Sequence, residues 1–147
     1  MVNLKMAIEN NNRCFVCGTN NPYGLQVEPK IKDAGAEVHI ECTPPQHMQG
    51  WANILHGGII STLLDEAITH IGIGTFDGPA VTAQLEVRFR KPAPTGVKLL
   101  VSAERIKVSR RLVEAKAEVK LSDNTLIATG TGKVMPVDES YTPTPST

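Results

Sequence analysis

The chain has 147 residues, a length that suits one domain with its own hydrophobic core. Its 15 basic and 15 acidic residues cancel, so the charge balance indicates neither nucleic acid nor an anionic membrane surface as a partner. No apolar run approaches the roughly 20 residues of a membrane helix, and the N-terminal segment lacks the apolar core of a signal peptide. These features predict a cytoplasmic protein that does not bind membranes.

The first third of the chain is predicted to be a loop followed by a pair of strands. Residues 10–24 are rich in Asn, Gly and Pro, which is typical of irregular structure. Strands are predicted over residues 25–32 and 36–42, joined by a short turn. Pro44–Pro45 then excludes a helix and weakens any further strand.

One long helix is predicted over residues 56–73, and strands make up the rest. The helix carries apolar residues on nearly every face, which indicates burial on all sides. Residues 81–90 alternate apolar and polar through five repeats, a strong strand pattern. Further strands are predicted over 97–108, 112–121 and 125–135, and the turns between them are short enough for an antiparallel meander of the last four strands.

The order β–β–α–β–β–β–β predicts an α+β fold. A long sheet must curl, and a helix that is apolar all round needs cover on every side. Both needs are met when a curled antiparallel sheet wraps around one long central helix, which is the hotdog fold. We therefore predict a single domain over residues 1–135 with an N-terminal loop extension, and a disordered, Pro- and Thr-rich tail over residues 136–147.

The start of the predicted helix, His56-Gly57-Gly58, is suited to acyl-transfer chemistry. Its first N–H groups have no partner inside the helix, and the helix dipole is positive there, so the site can hold an oxygen that gains negative charge. Asp65 lies seven residues after Gly58, on the same face but ~10 Å along the axis. That spacing predicts a site built across a two-fold interface, with Gly58 of one subunit facing Asp65 of the other.

Two acids lie side by side on this helix. Asp65 is placed among apolar residues, and a buried carboxylate costs free energy unless it is paired or has a task, so we assign the chemistry to Asp65. The alternative is that Asp65 only caps or bonds a loop N–H. Glu66 points ~100° away and lies four residues before His70, at ion-pair spacing, which favours a structural pair. His56 is either a base or, as we favour, a residue that bonds loop backbone.

Three segments resemble a known family. Residues 50–67, GWANILHGGIISTLLDEA, resemble the signature of the PaaI-like group of hotdog acyl-CoA thioesterases. Residues 81–96, VTAQLEVRFRKPAPTG, resemble that group's following strand and turn, and residues 14–25, CFVCGTNNPYGL, resemble a motif of a subset of the group. The resemblance covers roughly residues 14–135. It implies an enzyme that hydrolyses an acyl-CoA to free acid and CoA, as a homodimer or homotetramer with active sites at the subunit interface.

The same resemblance implies roles for individual residues. Asp65 matches the catalytic acid, acting as general base on water or as nucleophile, and the Gly58 N–H matches the group that polarises the thioester carbonyl. Thr82 falls where relatives place a Ser or Thr near the reacting centre, and His56 becomes a positioning residue. The predicted catalytic set is therefore Asp65, Gly58, His56 and Thr82.

One position departs from the pattern, and several residues are candidates for substrate contact. Some relatives carry an Asn about six residues before the HGG motif, where this chain has Gly50; Gln49 or Asn53 can replace it. Arginine forks suit the phosphates of coenzyme A, although each such residue can also be an ordinary solvated turn charge. The predicted substrate-binding set is Gly57, Asn53, Glu66, Arg90, Arg110 and Arg111.

Cys14 and Cys17 have the spacing of a zinc knuckle. A structural zinc needs four ligands, and only Cys42, His39 and His47 were available in the sequence to complete the set. There is no second C-x-x-C pair, so we expect small buried residues, no metal and no cofactor.

Other functions remain open at the level of the sequence. The main alternative is a non-catalytic acyl-CoA-binding protein on the same fold, which would not need a buried acid beside the thioester. A hotdog dehydratase would need a different arrangement of His and acid, and a zinc-dependent interaction module would need bound metal.

Overall fold

The computed structural model describes residues 10–137. It contains one long helix and six strands, in the order that the sequence predicts. These elements are β1 (Lys30–Lys32), β2 (Glu37–Cys42), α1 (Gly57–Phe76), β3 (Ala80–Phe89), β4 (Leu99–Val108), β5 (Val113–Leu121) and β6 (Leu126–Pro136), with short 3₁₀ turns at Asp33–Gly35 and Gln46–Met48. The predicted tail falls outside the described residues, except that Pro136 ends β6 and Val137 follows it.

The six strands form one antiparallel sheet in the order β1-β2-β4-β5-β6-β3. The prediction that the last four strands form a continuous meander is wrong for β3. β4, β5 and β6 are consecutive neighbours, but β3 pairs with β6 and β2 takes the place beside β4. Local alternation identifies a strand but carries no information about which distant strand it pairs with. As a result β3 is an outer strand of the sheet.

The first strand begins later than the sequence predicts. The N–H groups of Leu25 and Val27 donate to the carbonyl oxygens of Phe15 and Val16 at 2.9 Å each, so this stretch binds to the N-terminal loop rather than to the sheet. Pro29 then lacks the N–H that a ladder requires. Only the three residues after it join β2.

The hydrophobic core lies between α1 and the concave face of the sheet. Leu63, Leu64, Ala67, Ile68 and Ile71 of the helix are fully buried. The inward residues of the strands face them, and the buried ones include Val38, Ile40, Cys42, Leu99, Val101, Ala103, Val113, Ala115, Ala117, Val119, Ala128 and Val134. This confirms the predicted hotdog arrangement. Within residues 10–137 no helix is both long and apolar enough to cross a bilayer.

A β-bulge interrupts the alternation of β3. Thr82 pairs with Val134 and Gln84 with Lys133, so one extra residue is inserted between them. Because side chains alternate along a strand, the insertion reverses the faces on one side of it. Thr82 therefore points inward to α1, whereas Val81 is left 42% exposed at the sheet edge. The bulge is what brings a strand hydroxyl to the helix.

The 3₁₀ turn after β1 packs closely on the end of α1. Gly35 has a φ of +93°, and a Cβ added there would lie 2.6 Å from the backbone N of Thr75 and 2.8 Å from the carbonyl carbon of Gly74. The position therefore requires glycine for its backbone angle and for the space it leaves.

We predict that Gly35→Ala lowers the free energy of unfolding by about 2–4 kcal/mol, the sum of left-handed strain and overpacking. Gly96→Ala is the matched control, since Gly96 also has a positive φ, +73°, but an added Cβ would meet nothing within 4 Å. It should lose only ~1–2 kcal/mol. Urea denaturation measures both. Equal losses would mean that the turn and the helix can separate without cost.

Candidate active site

Asp65 is held by a hydrogen-bonded pair of threonines at the outer edge of the sheet. Thr82 Oγ1 of β3 donates to Asp65 Oδ1 at 2.6 Å, and Thr69 Oγ1 lies 2.9 Å from Thr82 Oγ1. Asp65 is only half-buried, so its second oxygen is not committed to the core. The sequence identified Asp65 and Thr82 but missed Thr69. Its position four residues after Asp65, on the same helix face, was the available signal.

At the start of α1, and within the described residues, the Gly58 N–H is hydrogen-bonded, whereas the Gly57 N–H is not. His56 is the N-cap of α1, and its Nδ1 accepts from the Gly58 N–H at 2.8 Å. The N–H groups of Ile59 and Ile60 bond the His56 carbonyl oxygen. Among residues 10–137 the Gly57 N–H has no hydrogen-bond partner. The unpaired donor at the positive end of the helix therefore belongs to Gly57, and His56 holds the neighbouring peptide in place.

The acid and the free N–H lie at different levels of the same helix. Eight residues separate Gly57 from Asp65, which corresponds to ~12 Å of helix axis. The neighbouring strand shows the same separation. An added Cβ on Gly57 would lie 3.3 Å from the ring of Phe89, at the far end of β3 from Thr82. One chain therefore cannot bring both groups to a single carbonyl.

The loop before the helix uses its amide side chains internally. Gln46 Nε2 donates to Asn53 Oδ1 at 2.8 Å, and the Asn53 N–H donates to Gln49 Oε1 at 2.9 Å. Gly50 is the position next to His56, since a Cβ there would lie 3.5 Å from His56 Cα. Gln49 and Asn53, the residues expected to replace an Asn at position 50, thus both use their side-chain oxygens to accept hydrogen bonds within the loop.

Glu66 is buried on another face of α1. It is 8% exposed, and its Oε1 lies 3.5 Å from His70 Nδ1. That nitrogen also lies 2.9 Å from the Glu66 carbonyl oxygen. The predicted contact with His70 is present. The sequence also placed Glu66 among the substrate-binding residues, and the structure encloses it against Cys14 and Cys17 of the N-terminal loop.

The basic candidates lie at opposite ends of the sheet. Arg90 follows the end of β3 that adjoins the helix start. Arg110 and Arg111 occupy the β4–β5 turn, just before Val113 of β5. Val134 of β6 pairs with Val113 on one side and with Thr82 on the other, so this turn lies at the Thr82 end of the sheet.

One cavity in the described part of the chain is lined by Arg90 but by none of the candidate catalytic residues. It has a volume of about 610 Å³ and lies over the outward face of the sheet. Its lining is largely polar and charged, with Glu37, His39, Glu86, Arg88, Ser102, Glu104, Lys116 and Glu118 among its residues. Asp65 lies on the inner face of the sheet, and the free Gly57 N–H is ~12 Å from it along the helix. In one chain these two groups do not enclose a pocket, so cavity size is a poor guide to the candidate active site.

Comparison with known proteins identifies relatives of this chain. The family model described as thioesterase superfamily matches residues 52–128. A putative esterase of Archaeoglobus fulgidus is 30% identical over 115 residues, which cover 78% of this chain and 73% of that protein. The acyl-coenzyme A thioesterase THEM4 of Xenopus laevis is 27% identical over 96 residues, covering 64% of this chain and 43% of that protein. The match therefore spans less than half the length of the THEM4 protein.

Solved structures share the fold. Zebrafish thioesterase superfamily member 2 matches with a TM-score of 0.72 and 22% identity, over 86% of this chain and 93% of that one. The Escherichia coli PaaI protein matches with a TM-score of 0.70 and 20% identity, over 78% and 81%. The smu.793 protein of Streptococcus mutans, solved bound to acetyl CoA, matches with a TM-score of 0.68 and 20% identity, over 76% and 88%.

Proposed function

This chain belongs to the thioesterase superfamily, and from that premise we propose that it hydrolyses the thioester bond of an acyl-coenzyme A. The observation that carries the proposal is the Asp65 carboxylate, held at 2.6 Å by Thr82 at the edge of the sheet. A protein that only binds acyl-CoA has no need of an oriented acid at that position. The THEM4 relative and the acetyl CoA bound to a structural neighbour agree with this substrate class.

Asp65 supplies the reactive group in this proposal. As general base it takes a proton from a water molecule whose oxygen attacks the thioester carbon, and the carbon–sulfur bond then breaks to release CoA thiolate, which takes up a proton. As nucleophile its oxygen attacks the same carbon, and the carbon–sulfur bond breaks to release CoA thiolate, which takes up a proton. Water then hydrolyses the mixed anhydride to the free acid and restores the Asp65 carboxylate. In either route the hydrogen bond from Thr82 fixes one carboxylate oxygen and leaves the other to act.

The Gly57 N–H polarises the thioester carbonyl in this proposal. Sequence reasoning gave this role to Gly58, but the Gly58 N–H is bonded to His56 Nδ1. We therefore move the role to the unpaired donor one residue earlier. A preorganised N–H at a helix start stabilises the oxyanion that forms on attack, and His56 keeps the adjoining peptide in the required orientation.

The active unit is a homodimer, or a tetramer built from dimers, in which Gly57 of one subunit and Asp65 of the other form one site. The long outer strand β3 supports this arrangement. It has ten residues, and Val81 and Phe89 on it are 42% and 53% exposed. A long unpaired edge with exposed apolar residues is a template for pairing with a second chain. Two-fold pairing along β3 places the Phe89 end of one chain beside the Thr82 end of the other.

Coenzyme A phosphates are the proposed partners of the basic turns. Across such a dimer Arg90 of one subunit approaches the end of the sheet where the other carries Arg110 and Arg111. Guanidinium groups bind phosphate oxygens in a bidentate manner. We also keep the cytoplasm as the proposed location, because an odd number of cysteines, three, argues against a disulfide framework.

We predict that Asp65→Asn lowers kcat for acyl-CoA hydrolysis by at least ~10²–10⁴-fold, because an amide can neither take a proton from water nor attack the thioester. The thermal midpoint should hold or rise, since a partly buried charge no longer has to be desolvated. Thiol release from an acyl-CoA panel and thermal unfolding, measured on the same samples, give both quantities.

Asp77→Asn is the matched control for that variant. Asp77 caps the other end of α1, is exposed, and has a φ of +52° that Asn tolerates. It removes the same charge and should leave turnover unchanged. Asp65→Asn activity within a few-fold of the unmodified protein would move the chemistry to Glu66 or His56. Loss of activity together with stability would make Asp65 structural and favour the binding-only function.

We predict that Gly57→Pro lowers kcat by roughly 10²–10³-fold, the usual effect of losing one oxyanion donor. Proline removes only this N–H, and it is well accepted at the first position of a helix. The preceding residue, His56, already has the extended backbone that a following proline requires, φ −60° and ψ 133°. Gly57→Ala is the control, because it adds a side chain but keeps the N–H. Equal effects of the two variants would show that crowding against Phe89, rather than the donor, is responsible.

A further inference from the structure

Three metal-binding side chains converge away from the proposed active site. Cys14 Sγ, Cys17 Sγ and a carboxylate oxygen of Glu66 all lie within 4.8 Å of one another. The two cysteines come from the N-terminal loop and the glutamate from the middle of α1. The proposed hydrolysis uses none of the three, so their clustering needs a separate explanation.

Glu66 is the first indication of a ligand. Within residues 10–137, its Oε1 is the one buried side-chain polar atom that has no hydrogen-bond partner. The His70 ring nitrogen Nδ1 is 3.5 Å from that oxygen, beyond ordinary hydrogen-bond length, and it bonds the Glu66 carbonyl oxygen at 2.9 Å. Buried carboxylate oxygens are normally paired or bound to a metal, and this carboxylate also lies beside two sulfurs, so the group is suited to bind a cation.

The backbone around the cysteines is the second indication. The N–H groups of Val16 and Cys17 both point at Cys14 Sγ, at 3.4 and 3.5 Å, and the Gly18 N–H bonds the Cys14 carbonyl oxygen at 2.9 Å. Gly18 leaves no room for a side chain, since a Cβ would lie 2.6 Å from the Asn12 oxygen. The tight turn brings the two sulfurs together, and the backbone hydrogen bonds fix the direction of the Cys14 sulfur.

The charges of the cluster agree with a cation between them. Cys14 Sγ, Cys17 Sγ and a Glu66 oxygen are close enough to bind a single ion. Two thiolates and a carboxylate at this distance repel one another, and a divalent ion among them offsets the repulsion. When such an ion binds, it displaces the thiol protons to the solvent and neutralises most of the negative charge.

We propose that Cys14, Cys17 and Glu66 bind one Zn²⁺ ion, with a water molecule in the fourth position. Zinc accepts both thiolate and carboxylate ligands in a tetrahedral site, whereas Ca²⁺ and Mg²⁺ require oxygen ligands alone. The sequence predicted two small buried cysteines without a metal, because it has no second C-x-x-C pair. The prediction of burial is wrong, since Cys14 is exposed and Cys17 only partly buried. The helix supplies Glu66 as the third ligand. The ion ties the N-terminal loop to α1 one residue from Asp65.

Cobalt substitution in the full chain tests the site without reference to activity. The reduced, chelator-treated protein is titrated with Co²⁺, which gives intense thiolate charge-transfer bands and tetrahedral d–d bands. We expect one equivalent to bind and Zn²⁺ to displace it. Cys14→Ser or Cys17→Ser alone should weaken the charge-transfer bands, and the double variant should abolish them. Glu66→Gln should weaken binding by more than ~10-fold, since even outer-shell partners of a metal contribute 10–100-fold.

Cys42→Ala is the matched control, because Cys42 is a free, buried cysteine in β2 outside the cluster. The Cys42→Ala protein should bind one Co²⁺ with the affinity of the unmodified protein. If the cluster variants do not fold, alkylation of the unmodified protein gives the answer. Zinc should protect Cys14 and Cys17 from iodoacetamide, measured peptide by peptide, and leave the reactivity of Cys42 unchanged. Absence of thiolate bands in the reduced protein, unchanged affinity in Glu66→Gln, or equal alkylation with and without zinc would overturn the proposal.

Discussion

The hydrogen bond between Thr82 and Asp65 joins the two parts of the molecule on which the proposed chemistry depends. Thr82 Oγ1 of the outer strand β3 lies 2.6 Å from Asp65 Oδ1 of the central helix, and this bond sets the direction of the carboxylate. The bond exists because a bulge between Thr82 and Gln84 turns the threonine inward. Without that extra residue, strict alternation would direct Thr82 to the outer face, and Asp65 would have no partner on β3. The irregularity of the strand therefore serves the site.

The geometry of a single helix also explains why the proposed site requires two chains. The unpaired Gly57 N–H and the Asp65 carboxylate are separated by ~12 Å of helix axis, so neither can move to the other without breaking α1. A two-fold partner solves this, because antiparallel helices place the start of one beside the middle of the other. The long exposed edge of β3 and the division of basic residues between opposite ends of the sheet point to the same partner.

Local periodicity was enough to predict the elements, and long-range contacts were not. The alternation in residues 81–90 identified β3, yet it gave no sign that β3 pairs with β6, since pairing depends on how the whole sheet closes. The apolar residues around Asp65 in the sequence identified it as a candidate. The contact of Glu66 with Cys14 and Cys17 was not predictable, because it depends on a loop that folds back onto the helix. The choice between Gly57 and Gly58 required the position of the His56 ring, which no spacing encodes.

Mixed dimers of two inactive subunits test the central claim, that each site takes Gly57 from one chain and Asp65 from the other. Asp65→Asn and Gly57→Pro subunits are co-expressed with different affinity tags, and doubly tagged dimers are purified, with sedimentation confirming the assembly. Such a dimer contains one intact site and one with both defects, so we predict roughly half of the unmodified turnover. Activity no higher than that of the two parent variants would contradict a shared site.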